Sequence, residues 1–325
     1  MPATAKQSKQ AKQTKQPDSF VPRTATTLGA ELSLTDIRAT YNAPRRKLAP
    51  AFLTAGNWRP ARSNPHGNSA VDLVQRIRRP VSDSHQLAVI SAKGGVGKTT
   101  TVIGLGATLA TLRTDRVIAV DVAPDYGTLA QRITDANPAT LRDLLQSGVV
   151  SRYPQVRGYT TATPSRLEIL AADHDPQLDA ALTESEFTRV MHILQHHYNV
   201  IINDCGAGLV HLATTNLLAS VNQLVVVATD AFDSAHSAWK TLDWLSAHGH
   251  QELVSTATVV INHTHPAHTA TEDLAAMFAG RVAHSVSIPF DAHLAAGAHV
   301  ELERLRRPTV DAYRQLAACI ADGFS

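Results

Sequence analysis

Residues 88–100 read Ala-Val-Ile-Ser-Ala-Lys-Gly-Gly-Val-Gly-Lys-Thr-Thr, a short apolar run that enters a glycine-rich turn and leaves it on Lys98, Thr99 and Thr100. Without side chains at Gly94, Gly95 and Gly97, backbone N–H groups can converge on one point, and a helix starting directly afterwards adds its positive end. Such a turn is a cradle for a polyphosphate, with Val96 and Thr100 in the same run. Lys98 is then placed on the β- and γ-phosphates and the Thr99 hydroxyl on a magnesium ion.

The ordinary phosphate-loop pattern G-x-x-x-x-G-K-[ST] has glycine where this chain has Ala92, and it does not ask for Lys93. Lys93 followed by Gly94-Gly95-Val96-Gly97-Lys98-Thr99-Thr100 resembles the deviant Walker A motif of the ParA/MinD ATPases. The resemblance implies ATP and Mg2+ as cofactors, and a homodimer formed on ATP binding in which Lys93 reaches the partner's nucleotide. A glycine-rich turn without a ligand is the plain alternative, but it would need three glycines, two lysines and two threonines to fall into register by chance.

The chain has 325 residues, 44% of them hydrophobic, enough for a sizeable core, and no stretch approaches the ~20 apolar residues of a membrane span. Its N-terminus is rich in Lys and Gln and has no apolar signal region. Cys205 and Cys319 stand far apart, which suits a reducing compartment and offers no zinc site. The expectation is a cytoplasmic protein.

A formal charge of +2 hides an asymmetry: residues 1–86 carry 14 Lys/Arg against 5 Asp/Glu. Lys6, Lys9, Lys12 and Lys15 recur at every third position among glutamines, a composition that cannot bury enough surface to offset its ordering entropy. Residues 1–69 are therefore expected to be a basic, disordered extension and linker, and 70–325 the folded domain. The extension could meet DNA, anionic lipid or an acidic partner, or be only a solvated tail. Ala70–Arg79 has the apolar spacing of an amphipathic helix.

From residue 87 onward, apolar runs at 87–91, 116–120, 167–171, 200–203, 224–228, 257–261 and 283–288 alternate with helical patterns such as 101–111, 184–197 and 234–247. The spacing predicts an α/β fold with a mostly parallel sheet of about seven strands and helices on both faces. Ligands in such sheets bind at the carboxyl ends of the strands, where the remaining motifs fall.

Asp121 ends one of these runs and resembles the first aspartate of the family's D-x-D-P segment, which contacts magnesium through water. Here the segment is Asp121-Val122-Ala123-Pro124-Asp125. Ala123 replaces the aspartate that orients the attacking water, so turnover is less secure than binding, with Asp121 and Asp125 both open as substitutes; Asp125 also reads as a turn residue. Asp204, at the end of Tyr198–Asp204, resembles the Walker B aspartate and is expected to hold magnesium through water; the plain alternative is a helix cap. Gly206 and Gly208 would let the following loop switch, and Cys205 reads as a small buried residue. Asn262 and the Pro289-Phe290-Asp291 turn resemble the two loops that hold the adenine. By this resemblance Lys93, Lys98 and Asp121 are the catalytic set, and Thr99, Asp121 and Asp204 the metal set. His263, His265 and His268 crowd one loop without a matching carboxylate or cysteine, a poor metal site. Trp239, Leu242 and Trp244 read as packing residues.

The resemblance covers roughly residues 70–325 and extends to the MinD/ParA-like ATPases of actinobacterial type VII (ESX) secretion, through Thr128–Arg132, Lys240–Leu245 and Val286–Ala298. It implies a dimerisation switch that regulates or positions a secretion apparatus, with a secretion component as protein partner. Two other readings stay open: a DNA-partitioning ATPase using Arg304, Arg306, Arg307 and the Lys-Gln tail, and a nucleotide-holding scaffold with little turnover. A C-terminal membrane anchor is not expected, because Thr309–Gly323 carries only Arg314 against Asp311 and Asp322.

Overall fold

Apolar runs bounded by turns make buried strands where helices cover both faces of a sheet, and the computed structural model folds them so. It describes residues 70–123, 127–148, 150–172, 183–207, 217–266 and 271–324, at 207 and 271–273 the backbone only. The extension, Pro124, Asp125, Gly208 and His268 lie outside the described residues. The principal elements are α1 (Ala70–Ile77), β1 (His85–Ser91), α2 (Lys98–Leu112), β2 (Val117–Asp121), β3 (Thr161–Ala162), β4 (Glu168–Leu170), α3 (Glu184–Gln195), β5 (Val200–Ala207), β6 (Gln223–Thr229), α4 (Phe232–Ala247), β7 (Thr258–Asn262), β8 (His284–Ile288) and α5 (Arg307–Ala321), with shorter helices between them.

The strands form one sheet in the order β3-β4-β2-β5-β1-β6-β7-β8. All pairings are parallel except β3 with β4. The seven parallel strands correspond to the seven apolar runs, and the eighth is the addition: β3 is two residues long and has no apolar run to announce it. β1 and β2 are buried along their whole length. Two apolar layers cover the sheet. One joins Phe187, Val190 and Leu194 of α3 to Ala235, Leu242 and Leu245 of α4. The other joins Val102, Leu105 and Leu109 of α2 to Tyr313, Leu316 and Ile320 of α5, with Ile77 of α1.

Two boundaries differ from the sequence expectation in ways that bear on the site. α2 begins at Lys98 rather than Thr101, so Lys98, Thr99 and Thr100 form its first turn. β5 continues past Asn203 to Ala207, which makes Asp204, Cys205 and Gly206 strand residues. Asp204 is therefore a strand residue and no helix cap; the ladder with β2 ends at Asp204, and the ladder with β1 resumes at Ala207 after an irregularity.

Close contact fixes α2 against α5. A Cβ at Gly104 would stand 2.3 Å from the Tyr313 ring, so only glycine admits that side chain. α1 is held by charge as well as by Ile77, whose full burial is worth about 1.5–3 kcal/mol. The buried Arg113 guanidinium donates to the carbonyls of Ile77 and Arg79 at the end of α1 and pairs with Asp115. Arg76 and Arg79 both reach Asp322 just beyond α5. No helix among the described residues is long and apolar enough to cross a membrane.

Candidate functional site

β1 lies between β5 and β6, where successive connections leave the sheet in opposite directions. The crevice at the carboxyl end of such a strand is where α/β sheets bind ligands, and the loop at 92–97 occupies it. The Ser91 hydroxyl donates to the Lys93 carbonyl (2.6 Å) and closes the first bend. Gly95 and Gly97 take φ of 75° and 90°, a left-handed conformation costly for side chains. At Gly97 space excludes one as well, since a Cβ would fall 2.6 Å from Asn262 Nδ2. Gly97 caps α2 without a side-chain bond. The first N–H groups of the helix consequently have no partner within it and face the loop, a ready anion site. Burial pushes the Lys98 ammonium below its ordinary pKa, opposed by the carboxylate of Asp204.

Asp121 and Asp204 are register partners on β2 and β5, each 2% exposed. Asp121 Oδ1 accepts from the Ala123 N–H (3.2 Å) and Oδ2 from the Leu129 N–H (3.0 Å). Its carboxylate thereby folds the chain after β2 back toward the site. Asp204 Oδ1 is buried and has no hydrogen-bond partner. Burial, then the neighbouring Asp121 charge, pushes the Asp204 carboxyl up to about 7; the Thr99 hydroxyl, Lys98 and Arg132 counter this in part. Thr99 Oγ1 also lies 3.3 Å from Thr128 Oγ1. Hard oxygens at Thr99, Asp121 and Asp204 suit magnesium, which keeps several waters and takes one or two carboxylates plus phosphate oxygens. The orphaned Asp204 oxygen is a place for a donor such as metal-bound water, so these residues fit the cation. Among the described residues no group of three His, Cys, Asp or Glu stands placed for a metal.

Lys93 is exposed, and its Nζ lies 2.5 Å from Asp233 Oδ2 in the first turn of α4. Asn262, at the end of β7, donates from Nδ2 to the Val96 carbonyl (2.8 Å) and to Thr101 Oγ1 (3.3 Å). The direction of its amide is determined: a carbonyl can only accept, and the Thr101 hydroxyl already donates to Gly97 O (2.9 Å). The Pro289–Asp291 turn stands alongside, since His263 N–H donates to Ile288 O (2.9 Å). Pro289 and Phe290 are half-buried. Burial would raise the Asp291 pKa, but the N–H groups of Arg306 and His293 hold it below the usual carboxylate range. The Asp291 side chain therefore caps the short helix at Ala292–Ala295.

The structure thus brings Lys93, the 94–100 run, Asp121, Asp204 and Asn262 to one end of the sheet. Cys205 is buried, and burial pushes its thiol up, away from nucleophilic character. Leu242 is in the core, with Trp239 and Trp244 packed against it. Sequence reading missed Asp233, Thr128 and Asp230. Thr128 stood in a stretch that carries the resemblance, and the one signal for Asp230 and Asp233 was position, after the carboxyl end of a strand.

A glycine-rich loop at the switch point of a parallel sheet, with two facing carboxylates and an added lysine, defines a P-loop ATPase of the ParA/MinD type. A family model described as "AAA domain" matches residues 84–254, and the chain belongs to that family. It is 37% identical over 265 residues to the ESX-1 secretion-associated protein EspI of Mycobacterium tuberculosis H37Rv, a match covering 80% of this chain and 40% of EspI. The chain thus spans well under half the length of that relative. The fold is similar to a ParA family ATPase from Chlorobium tepidum (TM-score 0.61, 16% identity, 72% of this chain and 98% of that one). It is also similar to MinD from Pyrococcus horikoshii in complex with Mg-ADP (TM-score 0.57, 20% identity, 72% and 94%).

Proposed function

We propose that residues 70–325 form a magnesium-dependent ATP-binding domain whose nucleotide state switches it between monomer and homodimer, and that residues 1–69 are an appended basic arm. The observation that carries this is the partnerless, buried Asp204 Oδ1 beneath an uncapped helix start that presents Lys98 and Thr99. A buried carboxylate beside a second one is costly unless a cation joins them. A half-buried ammonium and free N–H groups are likewise completed by phosphate oxygens. In this reading the 94–100 run and Lys98 hold the phosphates, Thr99, Asp121 and Asp204 hold magnesium, and Asn262 with the 289–291 turn flanks the base. Nδ2 of Asn262 is spent on the loop, which leaves Oδ1 to accept from an exocyclic amine such as that of adenine. The exposed Lys93 is the residue that crosses to the partner's nucleotide. Magnesium, when bound, would neutralise phosphate charge and so favour transfer of the terminal phosphoryl group to water.

The likeness to EspI supports a role in type VII secretion, where the dimer's output is an altered affinity for a secretion component. A second reading has one observation in its favour. Ala123 has no side-chain carboxylate to orient an attacking water, and its N–H is already spent on Asp121 Oδ1. Absent that group, turnover falls by roughly 10²–10⁴-fold, and the protein acts as a nucleotide-holding scaffold. Solution mass with Mg-ATP and Mg-ADP, together with turnover, tests both. ATP-dependent dimers that hydrolyse ATP support the switch. Dimers without turnover, accelerated by Ala123→Asp, support the scaffold. A monomer in every nucleotide state refutes the dimer proposal.

A further inference from the structure

Beside Asn262 stands a buried carboxylate that neither the phosphate cradle nor the metal set employs. Asp230, 6% exposed, opens the turn between β6 and α4. Its backbone N–H donates to the Asn262 carbonyl (3.2 Å). Its Oδ1 accepts from the Thr264 hydroxyl (2.9 Å) and more weakly from the Thr264 N–H (3.4 Å). Its Oδ2 lies 3.4 Å from His263 Nδ1. One residue thus meets three consecutive positions of the neighbouring loop: it hydrogen-bonds 262 through its main chain and 264 through its carboxylate, and its other carboxylate oxygen lies beside the His263 ring.

β7 ends at Asn262, and beyond it the described loop is held by the His263 N–H bond to Ile288 O and by these contacts to Asp230. The Asn262 amide can brace Val96 and keep its oxygen outward only if its backbone stays where the β7 ladder leaves it. An amide free to turn would offer its donor to the base and lose the preference for an exocyclic amine. We propose that Asp230 is the positioning residue of the base pocket: by clamping residues 262–264 it fixes the Asn262 amide and makes the site select an adenine over a guanine nucleotide. This rests on the reading of Asn262 as the base contact given above.

The test uses the full chain and equilibrium binding of ATP, GTP and inorganic tripolyphosphate, all with magnesium. A site that hydrogen-bonds a specific group rejects a ligand lacking it by an order of magnitude or more. Wild type is expected to prefer ATP to GTP at least about tenfold, and Asn262→Ala to lose most of that preference. Asp230→Ala is expected to lower the ATP/GTP ratio nearly as far while binding tripolyphosphate within about twofold of wild type, since the phosphate cradle stays intact. Asp230→Asn, which still accepts from Thr264, recovers part of the ratio. A wild-type ratio in Asp230→Ala, with the ratio lost in Asn262→Ala, overturns the role of Asp230 and leaves the base contact standing. A wild-type ratio in Asn262→Ala overturns both. If Asp230→Ala fails to bind tripolyphosphate, Thr264→Val decides: it removes only the hydroxyl donor, a reduced ratio supports the clamp, and an unchanged ratio refutes it.

Discussion

Asp204→Asn is expected to stabilise the ligand-free protein while destroying its response to magnesium. The Asp204 carboxyl is pushed from 3.8 up to about 7 by burial and by Asp121. A group whose native pKa is raised binds protons in the folded state that the unfolded chain has released, so its contribution becomes more unfavourable as pH rises between the two values. Below pH 4 it is protonated in both states and costs nothing, and above pH 7 the cost is complete. Three pK units at 1.36 kcal/mol each set that full cost at about 4 kcal/mol. Near pH 5.5 only about half has accrued. Asparagine keeps the volume without the charge. Urea denaturation of both proteins at pH 5.5 and 8, without nucleotide, is therefore expected to find the variant more stable, by a margin that widens toward pH 8. Mg-ATP narrows this gap and reverses it once the ligand exceeds about 1,000 Kd, since wild type gains by ligand linkage and the variant gains little. A variant less stable than wild type at pH 8, or a gap independent of pH, would refute the electrostatic account of this site.

Gly97→Ala combines a φ of 90° with a Cβ 2.6 Å from Asn262 Nδ2; it is expected to lose about 1–3 kcal/mol in denaturant unfolding and to weaken binding of tripolyphosphate as well as ATP. Arg113→Ala leaves the last carbonyls of α1 and the carboxylate of Asp115 without their buried donor, and removing one partner of a buried pair predicts a loss of about 3 kcal/mol in the same assay. Asp233→Ala frees Lys93 from its in-subunit partner, and the ATP-dependent dimer is expected to tighten in sedimentation equilibrium; a weaker dimer would mean that Asp233 itself helps the interface.

The phosphate loop was legible because its information is local: three glycines, two lysines and two threonines within eight residues define both the turn and the helix that follows. Asp121 and Asp204 could be read as carboxylates on apolar runs, and sheet register brings them face to face. What stayed hidden depends on contacts between distant segments. Lys93 and Asp233 are 140 residues apart, and Arg76 and Arg79, at and just past the end of α1, meet Asp322 beyond α5. Sequence likewise suggested that Asn262 touches a base, but its hold on Val96 appears only once β7 lies beside the loop. β3 escaped notice because a two-residue edge strand needs no hydrophobic pattern.

Equilibrium binding of ATP to the full chain, with and without magnesium, for wild type and Lys98→Ala, tests the central claim most directly. The account predicts magnesium-dependent binding by wild type and a loss of at least about 100-fold in the variant, because removing a charged hydrogen-bonding partner from a buried site costs several kcal/mol. Equal affinity in the two proteins, or no ATP binding by wild type, would contradict it.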